Sequence, residues 1–397
     1  MKTEAVSDTI KKITLDNGNT ITLVGTAHVS KNSVEDVERI IDQENPDMIC
    51  LELDSGRFKT KTEGQKYSET SLRKIFKEGK AFLVLANTAL ASFQKKLGKQ
   101  TGIAPGEEIL SGAKIAQERG IPFTLCDREI SVTLKRAWAM SSLMDKAKLL
   151  GALISSAFDK EEIKEEDLEE LKKGEAIENM MGELAKELPQ AKAALIDERD
   201  RYLATSIYKC EGRNKVAIIG AGHANGIVKT IEKLEKNELS TDLTTIESVP
   251  SPSKIGKFAS WIVPLAILGF VLYSCLNYGF DQGVRYFLLW AASNAGGSML
   301  FAILSNAHPL NWIVAAVSAP VAVMNPLIGV GVFTGIAESE LRKPSVRDFE
   351  TISDEISTLK GWFKNRVLHA FLIFITTSIG SILGTFVIFP IVLRIFG

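Results

Sequence analysis

Between Tyr286 and Ala337 the chain runs 52 residues without a single Asp, Glu, Lys or Arg. A helix lying on a soluble core keeps a charged or polar face toward water, and a run this long does not fit that pattern. Two further stretches share the property: residues 258–280 carry no charge over 23 positions, and residues 367–393 none over 27. A bilayer core takes about 20 apolar helical residues. The stretches therefore predict about four membrane-spanning segments, at 258–280, 286–306, 310–337 and 367–393, with a turn near Asn306, His308, Pro309 and Asn311. Charge follows the same partition, with 80 charged side chains in residues 1–257 and 15 in residues 258–397. This predicts a soluble domain over 1–250 and an all-α membrane domain over 251–397, in a multi-pass cell-membrane protein with the lipid bilayer as partner. The net charge of −1 gives no basic surface for nucleic acid, so none is expected as a partner.

Within the third segment, Pro320, Asn325-Pro326, Gly329 and Gly331 interrupt the helical pattern. Irregular backbone at membrane depth is tolerated where protein or a water cavity buries it, so a broken or re-entrant segment is the alternative there. Gly331 and Gly335, and Gly380 and Gly384, stand four apart, a spacing that lets helices approach closely. Packing within one chain is the first reading and a homodimer seam the second. Val346, Phe349, Ile352, Ile356, Leu359 and Phe363 recur at helical spacing and predict an amphipathic helix over 344–364. The broken third segment with His308 and His369 would suit a transporter or channel, but the uncharged stretches hold no Asp, Glu, Lys or Arg to line an ion path, which disfavours that reading. On orientation, the basic loop before the last span and the positive-inside rule pull against a first twenty residues without the apolar core of a signal peptide. The soluble domain is expected on the cytoplasmic side.

The soluble part opens with two β-type runs, 12–15 and 20–24, joined across Asn17-Gly18, a strong hairpin signal. Apolar strands are predicted at 48–53, 123–126 and 216–219, and a late edge strand at 243–249. Helices are predicted at 33–43, 108–119, 134–153 and 161–208. Strands alternating with helices give an α/β or α+β domain with a mixed sheet and long helices. Four cysteines, with no CxxC pair, are too few for a disulfide scaffold, and Cys50, Cys126 and Cys275 read as buried thiols in apolar runs.

Chemistry gathers at the strand ends. One strand runs into Gly25-Thr26-Ala27-His28 and another into Gly220-Ala221-Gly222-His223. A third delivers Glu52, Asp54 and Arg57, and a fourth Asp127-Arg128. In an open α/β sheet, ligands sit beyond the carboxyl ends of the strands. Two His and a carboxylate suit a catalytic divalent site with a position left for water, so His28, His223 and Glu52 are the candidate ligands of a manganese, zinc or cobalt ion. Asp127 is the substitute ligand or the base; a metal-free alternative makes one His a general base oriented by Asp127. Among nearby arginines, Arg128 or Arg199 is expected to hold a carboxylate in bidentate fashion. The candidate catalytic set is Glu52, Asp127, Arg128, Glu198 and Arg199, with Arg57 and Arg136 for substrate.

Gly25-Thr26-Ala27-His28, Glu52-Leu53-Asp54 with Arg57, Pro105-Gly106 with Glu108, Asp127-Arg128 with Thr133 and Arg136, Glu198-Arg199-Asp200 and Gly220-Ala221-Gly222-His223 occur here in this order. Together they resemble the TraB family of the pheromone-shutdown protein and, more distantly, the Tiki proteases. The tail, with Ala307-His308-Pro309-Leu310 and Asn325-Pro326, resembles the prokaryotic members. The resemblance implies a metal-dependent peptidase site formed by two Gly-x-x-His motifs and a Glu, acting on a peptide or signalling protein. The alternative function is a non-enzymatic regulator that binds and sequesters a peptide in the same cleft.

Overall fold

In the computed structural model the chain is described except at residues 8, 27–30, 64–71, 93–106, 151–185, 187, 251–260, 325–328 and 397, and at scattered positions between 82 and 90 and between 143 and 150. Two compact units are present. One comprises Met1–Lys66 and Phe93–Ser251, the other Tyr67–Ser92 and Pro252–Gly397.

The first unit is built on a mixed six-stranded sheet. Its strands are β1 (Lys2–Ala5), β2 (Ile10–Thr14), β3 (Thr20–Thr26), β4 (Met48–Leu51), β5 (Phe123–Leu125) and β6 (Asn214–Gly220), in the order β1-β2-β3-β6-β4-β5. β1, β2 and β3 pair antiparallel, and β3, β6, β4 and β5 are all parallel. The β2–β3 hairpin turns through Asn17-Gly18 as predicted, with Gly18 at φ +83°, a conformation that only glycine adopts at little cost. Strand β1 was not predicted; its four residues are all exposed and lack the alternation that marks a half-buried strand.

Helices cover both faces, as central parallel strands require. On one face α1 (Lys31–Glu44) and α4 (Glu107–Arg119) pack Val37, Ile40, Ile41, Ile109 and Ala113 against Val24, Ile49, Leu51, Val216 and Ile218. On the other lie α6 and α7 (Ala224–Glu235). Helix α6 begins as Pro189–Lys192, widens into a π turn at Ala193–Asp197 and continues as Glu198–Lys209. Helix α2 (Ser55–Glu63) follows β4 and sets Phe58 against the core of the first face, and α5 (Ile130–Met140) follows β5 and packs on α6. The predicted helix over 134–153 starts four residues earlier and reaches Met140, and residues 151–185 of the two long helical runs lie outside the described residues. The predicted edge strand at 243–249 is instead a helical turn, α8 (Thr244–Glu247). Its Thr245 and Ile246 carbonyls accept from Arg136 and Arg128 rather than from a neighbouring strand.

In the second unit α9 (Ile262–Tyr278), α10 (Phe280–Leu304), α11 (Pro309–Met324), α12 (Val330–Leu341) and the last helix, α16 (Arg366–Leu383), pack together, and α3 (Leu72–Lys77) lies against α12. A π turn at Gly384–Ile388 carries α16 onward to Phe396. Phe76 of α3 is buried with its ring 5.1 Å from Phe371 and 5.4 Å from Phe374. Among the described residues two helices are long and apolar enough to cross a bilayer, Phe280–Leu304 and Arg366–Ile395, while Ile262–Tyr278 and Pro309–Met324 are apolar but shorter. The segment expected over 310–337 is two helices, α11 and α12, with residues 325–328 outside the described ones.

The glycine spacings close contacts inside the chain. A Cβ at Gly380 would meet the backbone of Gly297, and one at Gly384 the Ser293 carbonyl at 2.6 Å. Beside them Asn294 donates Nδ2 to Thr385 (2.6 Å) and to the Ser381 carbonyl (2.9 Å). Residues 344–364 do not form one helix but three short ones, α13 (Val346–Glu350), α14 (Ile352–Glu355) and α15 (Leu359–Lys364). The side chains of Ser345 and Thr358 cap the first and last of these, and each cap restarts the backbone ladder.

Candidate functional site

The carboxyl ends of β3, β6, β4 and β5 lie along one edge. Thr26 pairs with Gly220, Leu51 with both Ile218 and Leu125, and Glu52 and Asp127 follow directly beyond. Both carboxylates are buried, and a buried charge needs partners. Arginines supply them. Arg199 of α6 donates Nη2 to Glu52 Oε1 (2.7 Å) and to Asp127 Oδ2 (2.8 Å), with its Nε 3.2 Å from Asp127 Oδ1. Arg57, at the start of α2, donates Nη2 to the same Asp127 oxygen (2.5 Å) and Nε to Asp54, whose other oxygen takes the Arg57 backbone N–H at 2.9 Å. Burial opposes the charge on Arg199, but Asp127 and Glu52 outweigh it and hold the guanidinium firmly protonated.

His223 closes the 3₁₀ turn Ala221–His223 that follows β6. Its Nδ1 lies 2.5 Å from Asp200 Oδ1 and its Nε2 3.5 Å from Glu52 Oε1. The other Glu52 oxygen accepts the Gly220 N–H at 2.5 Å. Burial disfavours a charged ring, yet the Glu52 charge and the bond to Asp200 prevail, and the His223 pKa stands above the ordinary imidazole value. Burial also pushes the Asp200 carboxyl up, against the pull of His223. Room for Asp200 comes from Gly226 on α7, where a Cβ would collide with the Asp200 carboxylate. His28, the other expected imidazole, lies outside the described residues.

Half-buried Glu198 and the buried Arg128 and Arg136 form an adjoining cluster. Glu198 accepts from Arg128 Nη1 (2.8 Å) and from Arg136 Nε (2.7 Å) and Nη2 (2.6 Å). Burial favours the neutral acid, but the two guanidiniums win and hold the Glu198 carboxyl below its usual range. Arg128 donates further to Thr133 Oγ1 (3.0 Å) and to the carbonyls of Ile246 (2.7 Å) and Ala194 (2.9 Å). Arg136 donates to those of Thr245 (2.9 Å) and Ser248. These guanidiniums, expected near a substrate, are engaged by α5, α6 and the α8 turn.

The family models carry the matter further. The model of the TraB/PrgY/gumN family matches residues 10–242, and that of the TraB family protein C-terminal domain matches residues 255–397. The chain belongs to the TraB/PrgY/gumN family. An uncharacterized protein of Methanocaldococcus jannaschii is 31% identical over 375 residues, covering 92% of this chain and 93% of its own. TraB domain-containing proteins of Bos taurus and Homo sapiens are 31% and 30% identical, over 76% and 67% of this chain and 81% and 75% of theirs.

Of the residues singled out for this TraB-family chain, the structure brings Glu52, Asp127, Arg57, Arg199 and His223 into one network. It sets Glu198, Arg128 and Arg136 in the next. The residue that sequence reasoning passed over is Asp200. It stands in the Glu198-Arg199-Asp200 motif, and its adjacency to Arg199 on α6 was the available signal: the same turn serves Glu52 through Arg199 and His223 through Asp200.

Proposed function

We propose that this TraB-family chain is a membrane-anchored, metal-dependent hydrolase acting on a peptide or signalling protein. The observation that carries the reading is the line Asp200–His223–Glu52 at the carboxyl edge of the sheet. Metal-ligating imidazoles commonly have their second ring nitrogen held by a carboxylate, as His223 has. His223 Nε2 and Glu52 Oε1, 3.5 Å apart, suit neighbouring positions around one ion with bonds of about 2.0–2.2 Å. His28 is the third donor in this reading, since it follows by two residues a Thr26 that pairs with Gly220. A divalent ion held there, manganese, zinc or cobalt, would supply Lewis-acid activation of water at neutral pH.

The chain's own residues do the rest. Asp200 keeps the proton on His223 Nδ1, so that Nε2 presents its lone pair. Arg199 bridges Glu52 and Asp127 and offsets the repulsion between them. Arg57, with 35% of its side chain exposed against 16% for Arg199, is the guanidinium left to meet a substrate carbonyl or carboxylate. Glu198, Arg128 and Arg136 act as positioning residues, fixing the turn of α6 that carries Arg199 and Asp200.

Membrane anchoring rests on side chains in the second unit. Leu310, Ile313, Val317 and Val321 form an exposed stripe along α11, and Leu268, Leu272 and Leu276 are exposed along α9. Apolar patches of this extent mark lipid or partner contact in a water-soluble context. These faces and the uncharged runs support a multi-pass arrangement in the cell membrane.

The test is cleavage of a panel of unstructured peptides by the full chain in nanodiscs. Chelator-sensitive cleavage lost in Asp200→Ala is the expected result. Peptide binding with no cleavage under any divalent ion would favour the sequestering regulator, a reading supported by the pairing of Glu52 and Asp127 with arginines.

A further inference from the structure

Cys50, Cys126 and Cys210 are far apart in sequence, yet their sulfurs all lie within 4.8 Å of one another. Cys50 is in the middle of β4, Cys126 follows β5, and Cys210 ends α6. The first two are buried and the third is half-buried, so the group has one side open to a visiting ion. A buried cation stands beside it. Lys215 of β6 is 2% exposed, donates Nζ to the Ile207 (3.2 Å) and Tyr208 (3.0 Å) carbonyls, and exerts its charge on Cys50 and Cys210. The Cys210 thiol donates to the Ser206 carbonyl at 3.0 Å, a bond that metal binding would replace.

We propose that these three cysteines form a site for one thiophilic divalent ion, zinc by its chemistry, distinct from the strand-edge site. The donor set is soft and all-sulfur, which selects zinc or monovalent copper over manganese or magnesium. Charge decides between the first two. Three thiolates, one divalent ion and the Lys215 ammonium sum to zero, whereas a monovalent ion leaves a buried net charge, which is costly. Zinc–sulfur bonds of about 2.3 Å put tetrahedral sulfurs roughly 3.8 Å apart, so the trio needs only small side-chain rotations to close. Binding forms three metal–sulfur bonds and releases the three thiol protons to solvent, with no change of oxidation state. Water entering beside half-buried Cys210 completes the tetrahedron. Occupancy would tie β4, β5 and α6 together close behind Glu52, Asp127 and the helix of Arg199 and Asp200. This is a structural role, independent of whether the strand edge catalyses.

The probe is cadmium. Full-length, fully reduced, metal-free protein in detergent is titrated with cadmium while sulfur-to-metal charge-transfer absorption is followed; zinc and then monovalent copper are run as competitors. The expected result is a band that saturates at one thiolate-bound cadmium per chain and is displaced by zinc, lost in Cys210→Ser and retained in Cys275→Ser and His223→Ala. Because Cys210 is half-buried, that variant is the one most able to fold, and circular dichroism checks it. Absence of the band in the wild type, its persistence in a folded Cys210→Ser, or copper binding with no response to zinc would each overturn the proposal.

Discussion

Asp200 commits a buried carboxylate to one nitrogen of one imidazole, and the chemistry of the strand edge depends on that bond. Asp200→Asn keeps the side chain's shape but removes the charge, so the His223 ring should titrate lower than in the wild type. Imidazole NMR would show this directly, and an unmoved titration would contradict the assignment. Loss of such a carboxylate partner typically costs 10–100-fold in metal affinity or activity, and a similar loss is expected for Gly226→Ala, whose new methyl displaces the Asp200 carboxylate. The pH dependence has a definite sign. Because the folded His223 pKa is raised, its charged ring contributes stability fully below the ordinary value of about 6.5, and that stability is lost as pH rises through the folded value. A metal ligand or a base needs the neutral ring, so activity should rise over the range in which this stabilisation disappears. The Gly-x-x-His motif and the carboxylates were legible in the sequence because each strand ends on them. The Asp200 contact was not, because it joins two helices whose packing is set by the core of Leu203, Ile207, Ile227 and Ile231, which no local pattern records.

At the scale of elements, the Glu198 cluster holds α5, α6 and the α8 turn together. Glu198→Ala leaves two buried guanidiniums without their carboxylate, and breaking a buried pair costs about 3–5 kcal/mol. Chemical denaturation should show that loss, and a loss under about 1 kcal/mol would refute the positioning role. Since the Glu198 pKa is lowered in the fold, its contribution is present above the ordinary carboxylate value of about 4.3. It is lost as pH falls through the folded value. In the second unit, Gly384→Val sets a branched side chain against the Ser293 carbonyl and the Asn294 backbone, which cannot move aside. It should lower the melting temperature, while Gly296→Val, with nothing within 4 Å of its Cβ, should not. The hairpin and the central strands were readable because turn chemistry and apolar runs are local. The 244–247 turn and the split of 344–364 were not. The first is fixed by arginines over a hundred residues away in sequence, and the second by caps that interrupt an unbroken apolar rhythm.

At the scale of the whole molecule, one chain joins a unit built on a mixed sheet to an apolar helical one; charge separates residues 1–257 from 258–397, whereas the second unit also takes Tyr67–Ser92 from the charged part. The proposed cytoplasmic side for residues 1–250 predicts that protease added to intact cells leaves this part uncut, and its digestion from outside would reverse the orientation. The central claim is that the strand edge binds a catalytic divalent ion, and manganese tests it most directly because thiolates compete poorly for that ion. Calorimetric titration of metal-free, full-length protein with manganese should give one site per chain, abolished in His223→Ala and in Glu52→Gln and unchanged in Cys210→Ser. Binding that survives in folded His223→Ala, or no binding of manganese, zinc or cobalt that depends on His223, would contradict the account.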